Sequence, residues 1–186
     1  MNTSSTRSAL ELTPGHAVDR IVAPTSLDER YDRGVAAAAA LAERFGLPLH
    51  LISASQPDPD TIDVDRDAAL AGAAKQLQAG HPALTVTHES VADAAAVEDA
   101  VADRLRISDL TVVATRAIDD PDLSFAQTLA TSSGTPVLML GPDAQLGELD
   151  SDVVVPVDGS VLAERILPAA RGLAAALGVK VKLVHI

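Results

Sequence analysis

The strongest constraint on the fold is an internal repeat. Shifting the chain by 132 residues lays Ile21–Ala54 on Val153–Ile186, inside the stretch that closes the sequence, SDVVVPVDGSVLAERILPAARGLAAALGVKVKLVHI (residues 151–186). With no gap, Pro24 falls on Pro156, Leu41 on Leu173, Ala42 on Ala174, Gly46 on Gly178 and Leu51 on Leu183. Each copy reads as an apolar run of strand length, a turn, an Ala-rich helix, a glycine and a second apolar run. The glycine sits where helices commonly end. The chain therefore builds one β-α-β unit, completes it, and starts the same unit again.

Between the copies, strand and helix patterns alternate. Apolar strand-like runs are expected at 20–25, 47–54, 83–89, 109–115 and 136–140, and helices at about 28–44, 68–79, 93–106 and 123–131. Alternation of this kind implies right-handed crossovers and a parallel sheet with helices on both faces. The expectation is an α/β fold, a doubly wound parallel sheet of five strands, with a partial second repeat. Ligands of such sheets bind at the carboxyl ends of the strands, where the strand order reverses. Residues 1–18 read as a flexible leader, 19–141 as one complete domain, 142–150 as a linker, and 151–186 as a partial second repeat, β-α-β.

Composition narrows the function. The net charge is −12, from 26 acidic and 14 basic residues, and Lys occurs only at 75, 180 and 182. Nucleic acids and anionic membranes are recognised by clustered Lys and Arg, so neither is expected as a partner. Aromatic residues make up only 2%, which disfavours stacking platforms. Cysteine is absent, removing disulfides, thiolate metal sites and cysteine nucleophiles. No apolar run approaches the roughly 20 residues of a membrane span. The start lacks the basic-then-apolar build of a signal peptide. A cytoplasmic location is expected.

Four stretches resemble the universal stress protein family. Val155-Pro-Val-Asp-Gly-Ser160 is similar to the family's first strand, V-A-V-D-G-S, and Leu183-Val-His-Ile186 to the end of its second, L-L-H-V. Ser108-Asp-Leu-Thr-Val-Val-Ala-Thr-Arg116 is similar to its fourth, and Thr135-Pro-Val-Leu-Met-Leu140 to its fifth. The resemblance covers about 19–141 as a full domain and 151–186 as the opening of another. It implies a sheet in the order 3-2-1-4-5 and a homodimer joined through the fifth strand, here 136–140. It also implies a non-enzymatic role in stress response or regulation, with ATP or another adenine nucleotide as ligand in some members.

In ATP-binding members the Asp after strand one approaches adenine, and a segment G-x2-G-x9-G-[S/T] after strand four wraps the phosphates. Glycines there let backbone N–H groups reach phosphate oxygens. The first domain departs from both patterns. Ser26 and Leu27 replace the Asp and Gly, and residues 114–124 contain no glycine but hold Asp119, Asp120 and Asp122. Like charges where a triphosphate would sit are costly. Candidate binding residues in this domain reduce to Ser26, Thr115 and Ser124. The second repeat keeps Asp158, Gly159 and Ser160, but its fourth strand is not in this sequence. Asp158 alone reads equally as a helix cap.

The leading reading is a non-enzymatic stress-response, regulatory or scaffold protein with nucleotide binding lost in the first domain, acting on an unknown partner and needing no cofactor. The alternative is an adenine-nucleotide sensor whose site is completed by the second repeat or another subunit. A regulatory domain of a transporter is a further possibility. A pyrophosphatase-type ATP ligase lacks support, because Pro24–Asp28 does not supply the S-G-G-x-D-S loop such enzymes carry after strand one. Asp63, Asp65 and Asp67 begin like a calcium loop, but Ala68 and Ala74 stand where its Gly and Glu belong. The histidines at 16, 50, 81, 88 and 185 have no metal-ligand spacing. Thr131-Ser-Ser-Gly134 reads as a helix end rather than a nucleophile elbow.

Overall fold

A computed structural model describes residues 10–13, 16–27, 32–55, 66–92, 94–115, 122–141 and 151–186. The chain divides into two compact units. The central one is Asp19–Gln145, and the terminal one joins Met1–Val18 to Leu146–Ile186. In chain order the elements are β1 (Glu11–Thr13), β2 (His16–Ala17), β3 (Arg20–Pro24), α1 (Asp32–Phe45), β4 (Leu49–Ala54), α2 (Arg66–Gly80) and β5 (Val86–Val91). There follow α3 (Val97–Ala102), β6 (Asp109–Ala114), α4 (Asp122–Ser132), β7 (Val137–Leu140), β8 (Val153–Val157), α5 (Val161–Glu164), α6 (Leu167–Leu177) and β9 (Val181–His185).

The central unit is a five-stranded, all-parallel sheet in the order β5-β4-β3-β6-β7. Counted within the domain this is 3-2-1-4-5, as expected. The inner strands β3, β4 and β6 are buried along nearly their whole length. That is why they read as unbroken apolar runs rather than alternating ones. The small side chains of α1 bring it close to the sheet, with Ala37, Ala38, Leu41 and Ala42 fully covered. Alternate residues point to the other face. There Val22, Ile52 and Val113 pack with Val101 of α3 and with Ala126 and Leu129 of α4.

At the amino end of the sheet the Arg20 guanidinium grips the buried Asp109 carboxylate with two bonds, Nε–Oδ1 at 2.9 Å and Nη2–Oδ2 at 2.6 Å. The Arg106 backbone N–H adds a third at 2.8 Å. Because Arg20 and Asp109 are register partners, the pair pins β3 to β6. Helix α3 covers only six residues of the segment expected to be helical over 93–106. Its N-cap, Ala96, is extended and offers no side-chain acceptor for the orphan N–H groups.

In the terminal unit the repeat is reproduced residue by residue. Ile21 pairs with Leu49 and Val153 with Val181, and every later pair keeps the 132-residue offset. The helix ends match as well. Leu47 N–H bonds the Ala42 carbonyl at 2.9 Å, and Val179 N–H bonds the Ala174 carbonyl at 3.0 Å. Gly46 (φ 68°) and Gly178 (φ 75°) both close their helices in the left-handed region.

Burial does not match. Val22 and Ile52 are covered in the central unit, whereas their counterparts Val154 and Val184 are 57% and 45% exposed, and Ile186 is 76% exposed. The expectation of a flexible leader needs correcting for its described part. Residues 10–13 and 16–18 hold an antiparallel hairpin, β1 with β2, closed by the Val18 N–H on the Leu10 carbonyl at 2.7 Å. Its Leu10, Leu12 and Val18 are buried, and β1 packs on α6.

Candidate functional site

The strand order reverses between β3 and β6, so the ends of these strands are where a ligand is expected. After β3 the Thr25 N–H bonds the Ile52 carbonyl at 2.8 Å, and the Thr25 hydroxyl accepts the Leu27 N–H at 3.1 Å. This closes a tight turn that leaves Ser26 exposed. The turn forces Leu27 to φ 64°, the left-handed region that costs a branched residue about 1–2 kcal/mol. The equivalent position in the terminal unit is Gly159, at φ 79°, where no such cost arises. The two repeats thus share a left-handed position, filled once by the residue suited to it and once not, while different side chains close the turn, Thr25 in one and Asp158 in the other.

Beside this turn lies a cavity of about 270 Å³, lined by Thr25, Leu27, Val35 of α1, Leu51 of β4, and Ala69, Gly72, Ala73 and Gln76 of α2. Among the described residues no charged side chain lines it, and the polar groups are Thr25 and Gln76. The sequence reading placed nothing from α2 near the site. The available signal was the small-residue run Ala68–Ala74, which leaves room opposite Leu51.

Thr115 follows β6 and is buried. Its N–H and its hydroxyl both donate to the Leu140 carbonyl, at 2.8 and 3.1 Å. Its proton is therefore spent on holding the ends of β6 and β7 together. Ser124 is the third residue of α4, and its side chain lies outside the described residues, as do Asp119 and Asp120.

The remaining candidates stand in the terminal unit. The Asp158 carboxylate accepts the Ser160 N–H at 2.9 Å, and the Ser160 hydroxyl accepts the Ala163 N–H at 3.1 Å. Hydrogen bonds from Ser160, side chain then backbone, hold the Asp158 carboxyl below its usual range. Both residues are exposed and serve a turn and a helix cap. The structure thus brings Ser26 and Thr115 to neighbouring strand ends, and Asp158, Gly159 and Ser160 to one turn of the other unit.

The other motifs resolve into structural roles. Thr131, Ser132 and Ser133 turn their hydroxyls back onto carbonyls of α4, at 3.0, 2.6 and 2.6 Å, as a helix end does. Asp67 starts α2, while Asp63 and Asp65 lie outside the described residues. His50 is buried, with Nδ1 2.8 Å from the Thr87 hydroxyl. Burial, then the nearby Arg20 charge, push its pKa below 6.5. His81 bonds Glu43 at 2.9 Å, and His88 and His185 are exposed. Among the described residues no group of three or more His, Asp or Glu side chains is placed to hold a metal, and no helix is long and apolar enough to cross a membrane.

No protein-family model matches the sequence, and no curated protein matches it. Solved structures do. A universal stress protein in complex with cAMP aligns at TM-score 0.53 and 21% identity, over 68% of this chain and 98% of that one. A universal stress protein from Archaeoglobus fulgidus aligns at 0.51 and 17%, over 66% and 97%. A universal stress protein assigned in Pseudomonas aeruginosa aligns at 0.61 and 16%, over 91% of this chain, and the chain spans 62% of its length. The first two alignments cover about two thirds of this chain, and the third covers most of it. The chain has the fold of the universal stress proteins.

Proposed function

We propose that this chain is a non-enzymatic regulatory or scaffold protein of the universal stress type, cytoplasmic, with nucleotide binding lost in its central unit. The observation that carries this reading is the turn after β3. Leu27 stands at a left-handed position that the other repeat gives to glycine, and its side chain lines the cavity. Among the described residues the lining offers no charged group, and a polyphosphate is held by cationic side chains and clustered backbone N–H groups. Self-association through β7 belongs to the same reading. β7 pairs only with β6 among the described strands, so one edge of an apolar strand is open to a second copy.

The test is thermal melting with millimolar ATP, ADP, AMP or cAMP plus magnesium. A site filled at 100 times its dissociation constant stabilises the fold by about 2.7 kcal/mol. The expected result is no shift with any of the four.

A second reading, an adenine-nucleotide sensor, is favoured by the cAMP bound in one similar structure and by the Asp-Gly-Ser turn at 158–160. A clear shift in the melts would support it and overturn the first. Loss of that shift in Asp158→Ala would assign the site to the terminal unit.

A further inference from the structure

The terminal unit has a small core. Its own β-α-β elements bury Val155, Ala170 and Ala174 among the described residues, and two of these are alanines. The hairpin adds Leu10, Leu12 and Val18. The larger buried side chains of this unit thus come mostly from the opposite end of the chain. A lone β-α-β piece lacks the apolar contact area to hold itself together.

The docking point is specific. Strand β1 crosses α6 at Gly172. A Cβ on that residue would collide with the Glu11 carbonyl oxygen and sit 2.9 Å from its carbon and 3.0 Å from the Leu12 Cα. These are backbone atoms, which cannot swing aside as a flexible side chain can. The matching residue in the central unit, 132 positions earlier, is Ala40, which is exposed. Glycine inside a helix is unfavourable unless something needs the space. Here the space is filled by β1.

We propose that Gly172 forms a notch on α6 for an extended Leu-x-Leu segment, and that residues 10–13 and 16–18 supply it as a clasp on which the folding of 153–186 depends. The clasp couples the two ends of the chain. With it docked, β8, α6 and β9 are held. With it released, the terminal unit opens locally while the central sheet stays folded. Local opening of this kind is independent of global unfolding when one part of a chain has a much smaller core.

Hydrogen exchange on the full chain tests this with two variants and a control. Gly172→Ala blocks the notch, although helix propensity alone favours alanine. Leu12→Asp removes the clasp's anchor without touching α6. Both should raise exchange in β8, α6 and β9 by roughly tenfold or more, with β3, β4 and β6 unchanged. Gly72→Ala, in α2 where nothing lies within 4 Å of the added Cβ, should leave the terminal unit's protection as in the parent chain. Unchanged protection of 153–186 in either notch or anchor variant would overturn the proposal. So would equal loss of protection in the central sheet.

Discussion

Asp109→Ala should be among the most damaging single changes in the central unit. Asp109 is fully buried, and its Arg20 partner is only 14% exposed. The substitution strips three hydrogen bonds from one carboxylate, two from the Arg20 fork and one from the Arg106 N–H. It leaves a guanidinium with little access to water and an orphaned backbone donor. Breaking one side of a buried pair costs about 3–5 kcal/mol. A unit of this size loses roughly 3–4 °C per kcal/mol, so the melting temperature should fall by about 9–20 °C.

The attraction itself contributes less than this cost suggests, because desolvation of both ions offsets most of it. The double variant Arg20→Met with Asp109→Leu should therefore recover more than half of the lost stability. Urea unfolding followed by far-ultraviolet circular dichroism measures the parent, Arg20→Met, Asp109→Leu and the double variant, the four corners of the cycle. If Asp109→Ala costs less than about 1 kcal/mol, or the double variant is no better than the sum of the singles, the reasoning fails.

Two further outcomes are expected. His50 is held neutral by burial, with its folded pKa below the 6.5 of the unfolded chain, so the unfolded state binds more protons as pH falls through 6.5 and stability drops. Melting temperature should decline over that range more steeply in the parent than in His50→Gln, and parallel profiles would exclude the residue. Light scattering at high micromolar concentration should return a dimer that Met139→Lys, on the exposed part of β7, converts to a monomer. A monomeric parent would refute pairing through this edge.

Most of the central sheet was legible because parallel strands buried on both faces leave continuous apolar runs, such as Asp109–Ala114. The repeat implied that whatever register joins β3 to β4 should recur between β8 and β9, and it does. The leader was misread for a physical reason. Leu10, Leu12 and Val18 are spaced too sparsely to show a period, and Pro14-Gly15 between them reads as a break in the sequence. What they bury against lies more than 150 residues away. Gly172 was the one local sign, an interior helix glycine where the other copy has alanine. Of the candidate site residues, Ser26 and Asp158–Ser160 fall on turns after strands, but Thr115's internal hydrogen bond and α2's share of the cavity depend on tertiary packing that no spacing reveals.

The matched register of the two strand pairs has a consequence for how the chain reaches this structure. β9 carries the same offset as β4 and keeps apolar residues at three matching positions, Val181, Leu183 and Val184 against Leu49, Leu51 and Ile52, so a refolding chain meets two acceptable neighbours for β3 and two for β8. Neither local propensity nor side-chain alternation tells them apart. What does is that α3, β6 and α4 can cover only the pairing that includes β3 and β4. Until those elements dock, the repeat is its own competitor. Refolding should then pass through mispaired species that form quickly and resolve slowly, as repeated sequences tend to do.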